Sequence, residues 1–119
     1  MRQINENVYE VGALDFDARL FDRLIPLPDG TSYNSYIIKG SEKTALVDTV
    51  DPCKTEVLLK NLVSIGIDNI DYIIAHHGEQ DHSGSLSDIL VVYPEASIVT
   101  NPKCKSILID LLEIEENKF

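Results

Sequence analysis

Asp71-Tyr72-Ile73-Ile74-Ala75-His76-His77-Gly78-Glu79-Gln80-Asp81-His82-Ser83-Gly84-Ser85-Leu86 passes from a short apolar run into a segment crowded with potential metal ligands. Ile70 to Ala75 has the character of a buried strand: short, continuous and β-branched. All three histidines, His76, His77 and His82, fall within seven consecutive residues, and Glu79 and Asp81 lie between them. A single histidine is more often an ordinary polar residue than a ligand. Five candidate donors in the loop after a buried strand and before a helix are a different matter, because open α/β sheets bind ligands at that end of their strands. Imidazole with carboxylate is a mixed nitrogen and oxygen set that suits iron, manganese or zinc. On an extended or tightly turned loop His77 and Glu79 project to one side, and Asp81 and His82 turn toward a second point nearby. Ser83 and Gly84 let the backbone turn into a helix whose first amides favour the carboxylates.

Working outward, the elements alternate. Val8–Leu14 reads as a first strand, and Asp15–Asp29 mixes charged and apolar residues without a clear period. Tyr36–Lys39, a turn at Gly40-Ser41-Glu42 and Thr44–Asp48 form a β-hairpin pattern. Asp51-Pro52 is a helix start, with Asp as cap and Pro at the first helical position. The helix that follows, Cys53 to Ile65, places Val57, Leu58, Leu62 and Ile65 on one face, and Gly66 is its expected stop. Ser83 or Ser85 is expected to cap a second helix carrying Leu86, Ile89 and Leu90, and Ala96–Thr100 is another strand. Asn101-Pro102 repeats the cap-plus-proline start for a last helix striped by Ile107, Leu108, Leu111 and Leu112. The tail Glu113–Phe119 sets acids near that helix's negative end and is expected to fray. Strands alternating with helices through the second half argue for an α/β layer with parallel pairing.

The bulk properties bound the rest. A chain of 119 residues with 44% hydrophobic and 25% charged residues is one domain with a real core. Its net charge of −10 would repel phosphate backbones and anionic lipid, which argues against nucleic-acid and membrane partners. Met1-Arg2-Gln3-Ile4 opens no signal-peptide-like run, and no stretch is long enough to span a bilayer, so a cytoplasmic location is expected. Cys53 and Cys104 form no CxxC pair and are expected to be free, semi-buried thiols.

The pattern HxExDH at 77–82 resembles the first metal motif of flavodiiron proteins. Val8-Tyr9-Glu10-Val11-Gly12-Ala13 and Gly30-Thr31-Ser32-Tyr33-Asn34-Ser35-Tyr36 agree with the same family, so the resemblance covers nearly the whole chain in order. General metallo-β-lactamase-like hydrolases, mostly zinc enzymes, carry HxHxDH; Glu79 replaces their second histidine. An anionic oxygen in place of neutral imidazole makes a harder site that better stabilises oxidised iron. The resemblance implies that His77 and Glu79 bind one iron and Asp81 and His82 the other. Asp48 would support the loop from behind, and His76 matches no family ligand. It implies nitric oxide or dioxygen reduction at a diiron centre, with electrons from FMN in a flavodoxin-like domain or from a rubredoxin-like donor.

The resemblance implies that residues 1–119 are the N-terminal half of a metallo-β-lactamase-like αββα sandwich, one mixed β-sheet with helices on one side, in an α/β (α+β) class. The family's later ligands, two histidines and a bridging aspartate, have no counterpart, since no histidine follows His82. The flavodoxin-like FMN domain is likewise outside these residues. The chain is therefore expected to be inactive alone or one half of a split or oligomeric enzyme, with no catalytic or flavin-binding residue of its own. A sheet meant to be covered by a second sheet would present apolar surface, so a homo-oligomer or a complementary chain is expected. The competing readings are a zinc hydrolase fragment and a non-catalytic remnant acting as an interaction module.

Overall fold

A computed structural model of the chain describes residues 1–21 and 24–119. Its centre is a six-stranded mixed sheet. The strands of this sheet are β1 (Arg2–Asn5), β2 (Val8–Glu10), β7 (Tyr36–Lys39), β8 (Thr44–Val47), β9 (Tyr72–Ile74) and β10 (Ser97–Val99), adjacent in that order. β1 to β8 pair antiparallel; β8 with β9 and β9 with β10 pair parallel. Parallel neighbours need crossovers, which are supplied by α1 (Thr55–Ser64) and by α2 (Gln80–Ser83) with α3 (Leu86–Val92). Two successive right-handed crossovers in one direction put their helices on the same face. Helix α4 (Pro102–Leu112) follows β10.

Register fixes what each face presents. Ile37, Leu46, Ile73 and Ile98 are aligned across four strands and all are buried, in one cluster with Leu58, Leu62, Leu86, Ile89 and Leu108 of the helices. The opposite face carries the rows Val8–Ile38–Ala45–Tyr72 and Tyr36–Val47–Ile74–Val99. These apolar side chains stay half-buried or open, Tyr72 at 41% and Val99 at 48% exposure. Among the described residues the sheet is covered on one side only.

Several local expectations are corrected. The strand expected over Val8–Leu14 breaks at Val11-Gly12, where both amides donate to Ser35 O (2.8 and 3.2 Å). A Cβ at Gly12 would sit 2.0 Å from Tyr33 O, so only glycine permits this approach. The chain resumes as β3 (Ala13–Asp15), paired with β6 (Thr31–Tyr33) in a separate ribbon. In the segment expected to be irregular, β4 (Leu20–Phe21) pairs with β5 (Ile25–Pro26); residues 22 and 23 lie outside the described residues. Asp51 does cap its helix, accepting from Cys53 N at 3.0 Å, but the first turn, Pro52–Lys54, is 3-10. Val57 points outward, and the buried face is Leu58 and Leu62.

Ser85 takes the N-cap position of α3, but its hydroxyl makes no capping bond to the helix amides. Ser85 instead donates to Val50 O (2.9 Å) and meets Thr55 Oγ1 at 2.6 Å, tying α3 to the start of α1. In the last helix Cys104 and Leu108 are the buried pair, whereas Leu111 is open to solvent. The tail does not fray: Ile114 is buried, Phe119 packs against the core, and Lys105 and Lys118 hold Glu116 (3.2 Å) and Pro94 O (2.9 Å). Burial of two apolar side chains outweighs the unfavourable acids at the helix end. Both cysteines are free, Cys104 buried and Cys53 exposed rather than semi-buried.

Candidate metal centre

The loop His76–Glu79 leaves the carboxyl end of β9, and α2 returns the chain at once. Asp48 directly follows β8 in a left-handed conformation (φ 55°) and is buried. An Asp tolerates that region better than most residues. Its carboxylate collects three donors: His76 N reaches Oδ1 at 2.9 Å, and Oδ2 lies 2.8 Å from His76 Nδ1 and 3.2 Å from His82 Nδ1. Holding His82 by Nδ1 turns its Nε2 away from Asp48, and Nε2 lies 3.3 Å from Asp81 Oδ2. The His77 ring meets the His82 ring edge-on, with centroids 4.2 Å apart.

The loop backbone is fixed from three sides. Thr49 donates through N and Oγ1 to His82 O (2.7 and 2.8 Å). The Ser83 hydroxyl lies 3.0 Å from both Gly78 O and Glu79 O. At Gly84, a Cβ would fall 2.3 Å from Pro52 Cδ, so a glycine is needed where α2 closes on the start of α1. Beside the loop is an open cleft of about 390 Å³, lined by His77, Gly78, Glu79, Gln80, Ile107 and Leu111.

Of the expected ligands, the structure brings Asp81, His82 and the His77 ring together. Glu79 stays exposed, and its amide makes a long contact (3.4 Å) with His77 Nδ1. Among the described residues no three His, Cys, Asp or Glu side chains gather around one point close enough to hold a metal ion. Fit to a cation is nonetheless testable at the Asp81–His82 pair. When the His82 Nδ1 proton goes to Asp48, Nε2 is a lone pair facing an anionic oxygen. Two acceptors at 3.3 Å oppose each other unless a proton or cation joins them. Donors bound to one metal at about 2.0–2.2 Å are about 3 Å apart, which matches this spacing. Asp81 Oδ1 is buried and has no hydrogen-bond partner among the described residues. The donor pair fits a hard or borderline cation; His77 and Glu79 do not converge on it.

Residue spacing alone did not reveal Thr49, Ser83 or the His76–Asp48 bond. Gly78, set between two candidate ligands, was the visible hint that something approaches the backbone closely there.

A second polar cluster lies away from this loop. Asp15 accepts from Tyr33 Oη (3.1 Å), from the amides of Asp17 and Ala18, and from Cys53 Sγ (3.6 Å). Burial raises the Asp15 carboxyl, but these donors together hold it below its ordinary value. Burial and the same carboxylate push the Tyr33 phenol up.

Residues 28–115 match the metallo-beta-lactamase superfamily. The chain belongs to that superfamily. Within it, the relatives it matches are flavodiiron proteins, over their N-terminal part. It is 41% identical over 101 residues to flavo-diiron protein FprA2 of Clostridium acetobutylicum, covering 83% of this chain and 25% of that protein. It is 38% identical over 97 residues to the anaerobic nitric oxide reductase flavorubredoxin of Vibrio vulnificus, covering 80% of this chain and 19% of that one. Among solved structures, rubredoxin oxygen:oxidoreductase from Desulfovibrio gigas superposes with a TM-score of 0.88 at 31% identity, over 96% of this chain and 28% of that chain. This metallo-beta-lactamase superfamily chain thus spans a quarter or less of the length of those curated relatives. No helix among its described residues is long and apolar enough to cross a membrane.

Proposed function

We propose that the chain is the part of a flavodiiron-type oxidoreductase that contributes the first four metal ligands. Asp81 and His82 hold one iron, His77 and Glu79 the other, and Asp48 orients His82 through Nδ1. The observation that carries this reading is the buried, unpartnered Asp81 Oδ1 beside a carboxylate oxygen and an imidazole nitrogen 3.3 Å apart. Glu79 in the place of a histidine favours iron over zinc. Two irons, when bound, supply electrons and open coordination positions for reducing nitric oxide or dioxygen, the two substrates named for its relatives.

The chain's own residues do the holding. Asp48 fixes the His82 ring, Thr49 pins the His82 carbonyl, and Ser83 keeps Gly78 and Glu79 in a tight bend. Two protein donors per metal are few, so further ligands come from polypeptide outside these 119 residues. The same polypeptide, or a second copy of this chain, covers the half-open sheet face. Electrons come from FMN in a flavodoxin-like domain or from a rubredoxin-like donor.

The test is metal content. The purified chain, alone and mixed with a polypeptide carrying the remainder of such a domain, is analysed for iron and zinc. Iron taken up in the mixture and lost in Asp81→Ala supports the reading; zinc in preference to iron, or no metal in either sample, overturns it. The reading as a non-catalytic interaction module is favoured by one observation, the outward position of Glu79, and predicts the last of these results.

A further inference from the structure

Helix α4 approaches the His77–Glu79 loop through Ile107. A Cβ built on Gly78 would lie 2.6 Å from Ile107 Cγ2 and 3.4 Å from Ile107 Cβ. The Ile107 methyl therefore rests directly on the Gly78 backbone. It has little freedom to yield, because a β-branched side chain in a helix is held to one dominant rotamer. The helix is anchored as well: Asn101 Oδ1 accepts from Cys104 N at 2.9 Å, and Cys104 and Leu108 are buried in the core. The Ser83 hydroxyl also holds Gly78 O. Gly78 is thus held by a methyl against its Cα and a hydroxyl on its carbonyl, and its two neighbours in the chain are His77 and Glu79.

We propose that Ile107 is a positioning residue for the metal loop: its Cγ2 methyl sets the Gly78 backbone and thereby the aim of His77 and Glu79. The consequence for metal rests on the ligand assignment above, while the effect on the loop does not. Ile107 also walls the cleft that His77 and Glu79 line, so the residue that shapes the approach to the two side chains is the one that orients them.

Paired substitutions test this. Ile107→Val keeps Cγ2 and removes only the outer methyl, Cδ1; Ile107→Ala removes Cγ1, Cγ2 and Cδ1. Gly78→Ala drives a methyl into Cγ2, and Gly78→Ala/Ile107→Ala restores the space. In the metal-free chain the His77 ring proton signals report its edge contact with His82, 4.2 Å between centroids. Expected are wild-type His77 signals in Ile107→Val, displaced signals in Ile107→Ala and Gly78→Ala, and a return toward wild type in the double variant. Cobalt(II) affinity, read from its absorption bands, should fall about tenfold or more in Gly78→Ala and recover in the double variant. Unchanged His77 signals in Ile107→Ala, or signals equally displaced in Ile107→Val and Ile107→Ala, overturn the proposal. If Gly78→Ala does not fold, the Val and Ala variants at 107 still decide it. Should the chain alone bind no cobalt(II), as two protein donors per metal would allow, the His77 signals judge the positioning role, and the ligand assignment is judged by metal uptake in the mixture.

Discussion

Asp81 keeps one oxygen 3.3 Å from His82 Nε2 and the other buried without a partner. A buried acceptor left unpaired costs about 1–3 kcal/mol, and more when charged, so the metal-free chain carries a standing penalty at this position. Such penalties are typical of sites shaped for a ligand rather than for stability. Asp81→Asn removes the charge and gives His82 Nε2 a donor. The variant should be more stable than wild type by about 1 kcal/mol in urea unfolding, while its metal uptake falls. A loss of stability would mean that Asp81 is already satisfied, and the argument for a cation there would go with it. Cys53 makes a different point at the same scale. It is exposed, yet partial burial of its sulfur and then the Asp51 and Asp15 carboxylates push its thiol up to about 11. A raised value keeps the thiol protonated, and the thiolate is the reactive form. With Cys104→Ser as background, alkylation of Cys53 at pH 8 should run at least about tenfold slower than that of an unperturbed cysteine. Asp51→Asn should speed it, and a rate equal to that of a free thiol would refute the assignment.

The elements divide into those that local pattern dictates and those that a distant contact overrides. Gly12 belongs to the second kind: its neighbour Tyr33 O leaves no space for a Cβ. Gly12→Ala should cost about 1–3 kcal/mol or more, measured as a shift in the urea midpoint, and a neutral result would show that β2 and β3 can part without harm. Within Val8–Leu14 only Gly12 hints at this break, and it does not say where the contact comes from, because the atom responsible belongs to residue 33. The serines tell the same story; Ser83 and Ser85 have the composition of caps but are taken by Gly78, Glu79 and Val50 carbonyls. By contrast Asp51-Pro52, Asn101-Pro102 and Gly66 (φ 72°) did mark their helix ends, since caps and left-handed stops act within a turn of the residue that makes them. The parallel half of the sheet was legible for the same reason: each strand and helix there is short, periodic and punctuated. At the His77–His82 loop the residue types were visible in the sequence, but the directions of the side chains were not, because contacts such as those of Ile107 and Ser83 with Gly78 set the backbone there. Two carboxylates act as staples between elements. Asp71 is lowered by the Thr44 amide first, against some desolvation, and then by Lys43; Asp15 is lowered by the donors that outweigh its burial. A depressed value contributes stability above the unfolded value of about 3.9 and loses it as pH falls through the folded value. Stability should therefore hold from neutral pH to about 4 and fall below it. Asp71→Asn should flatten that fall, and an identical acid profile in the variant would remove Asp71 from the explanation.

At the scale of the molecule the deciding feature is the uncovered sheet face. Helices bury the Ile37, Leu46, Ile73 and Ile98 row completely or nearly so, and nothing among the described residues seals the rows on the other side. Ile38, Tyr72 and Val99, at 39%, 41% and 48% exposure, remain partly in water across three strands. Contiguous apolar surface of this kind is a docking surface or an aggregation risk. Opposing this, the net charge of −10 repels a second copy. The balance is therefore salt-dependent: screening shortens the repulsion to about 3 Å at 1 M ionic strength while apolar attraction persists. Sedimentation of the isolated chain should show association that strengthens with added sodium chloride. Ile38→Lys together with Val99→Lys should abolish it, the circular dichroism spectrum staying that of the folded chain. A partner chain that completes the sandwich would compete for the same surface, so its addition should replace the self-associated species with a one-to-one complex. Association that weakens with salt, or that survives both lysines, would place the interface elsewhere and leave the open face without a role.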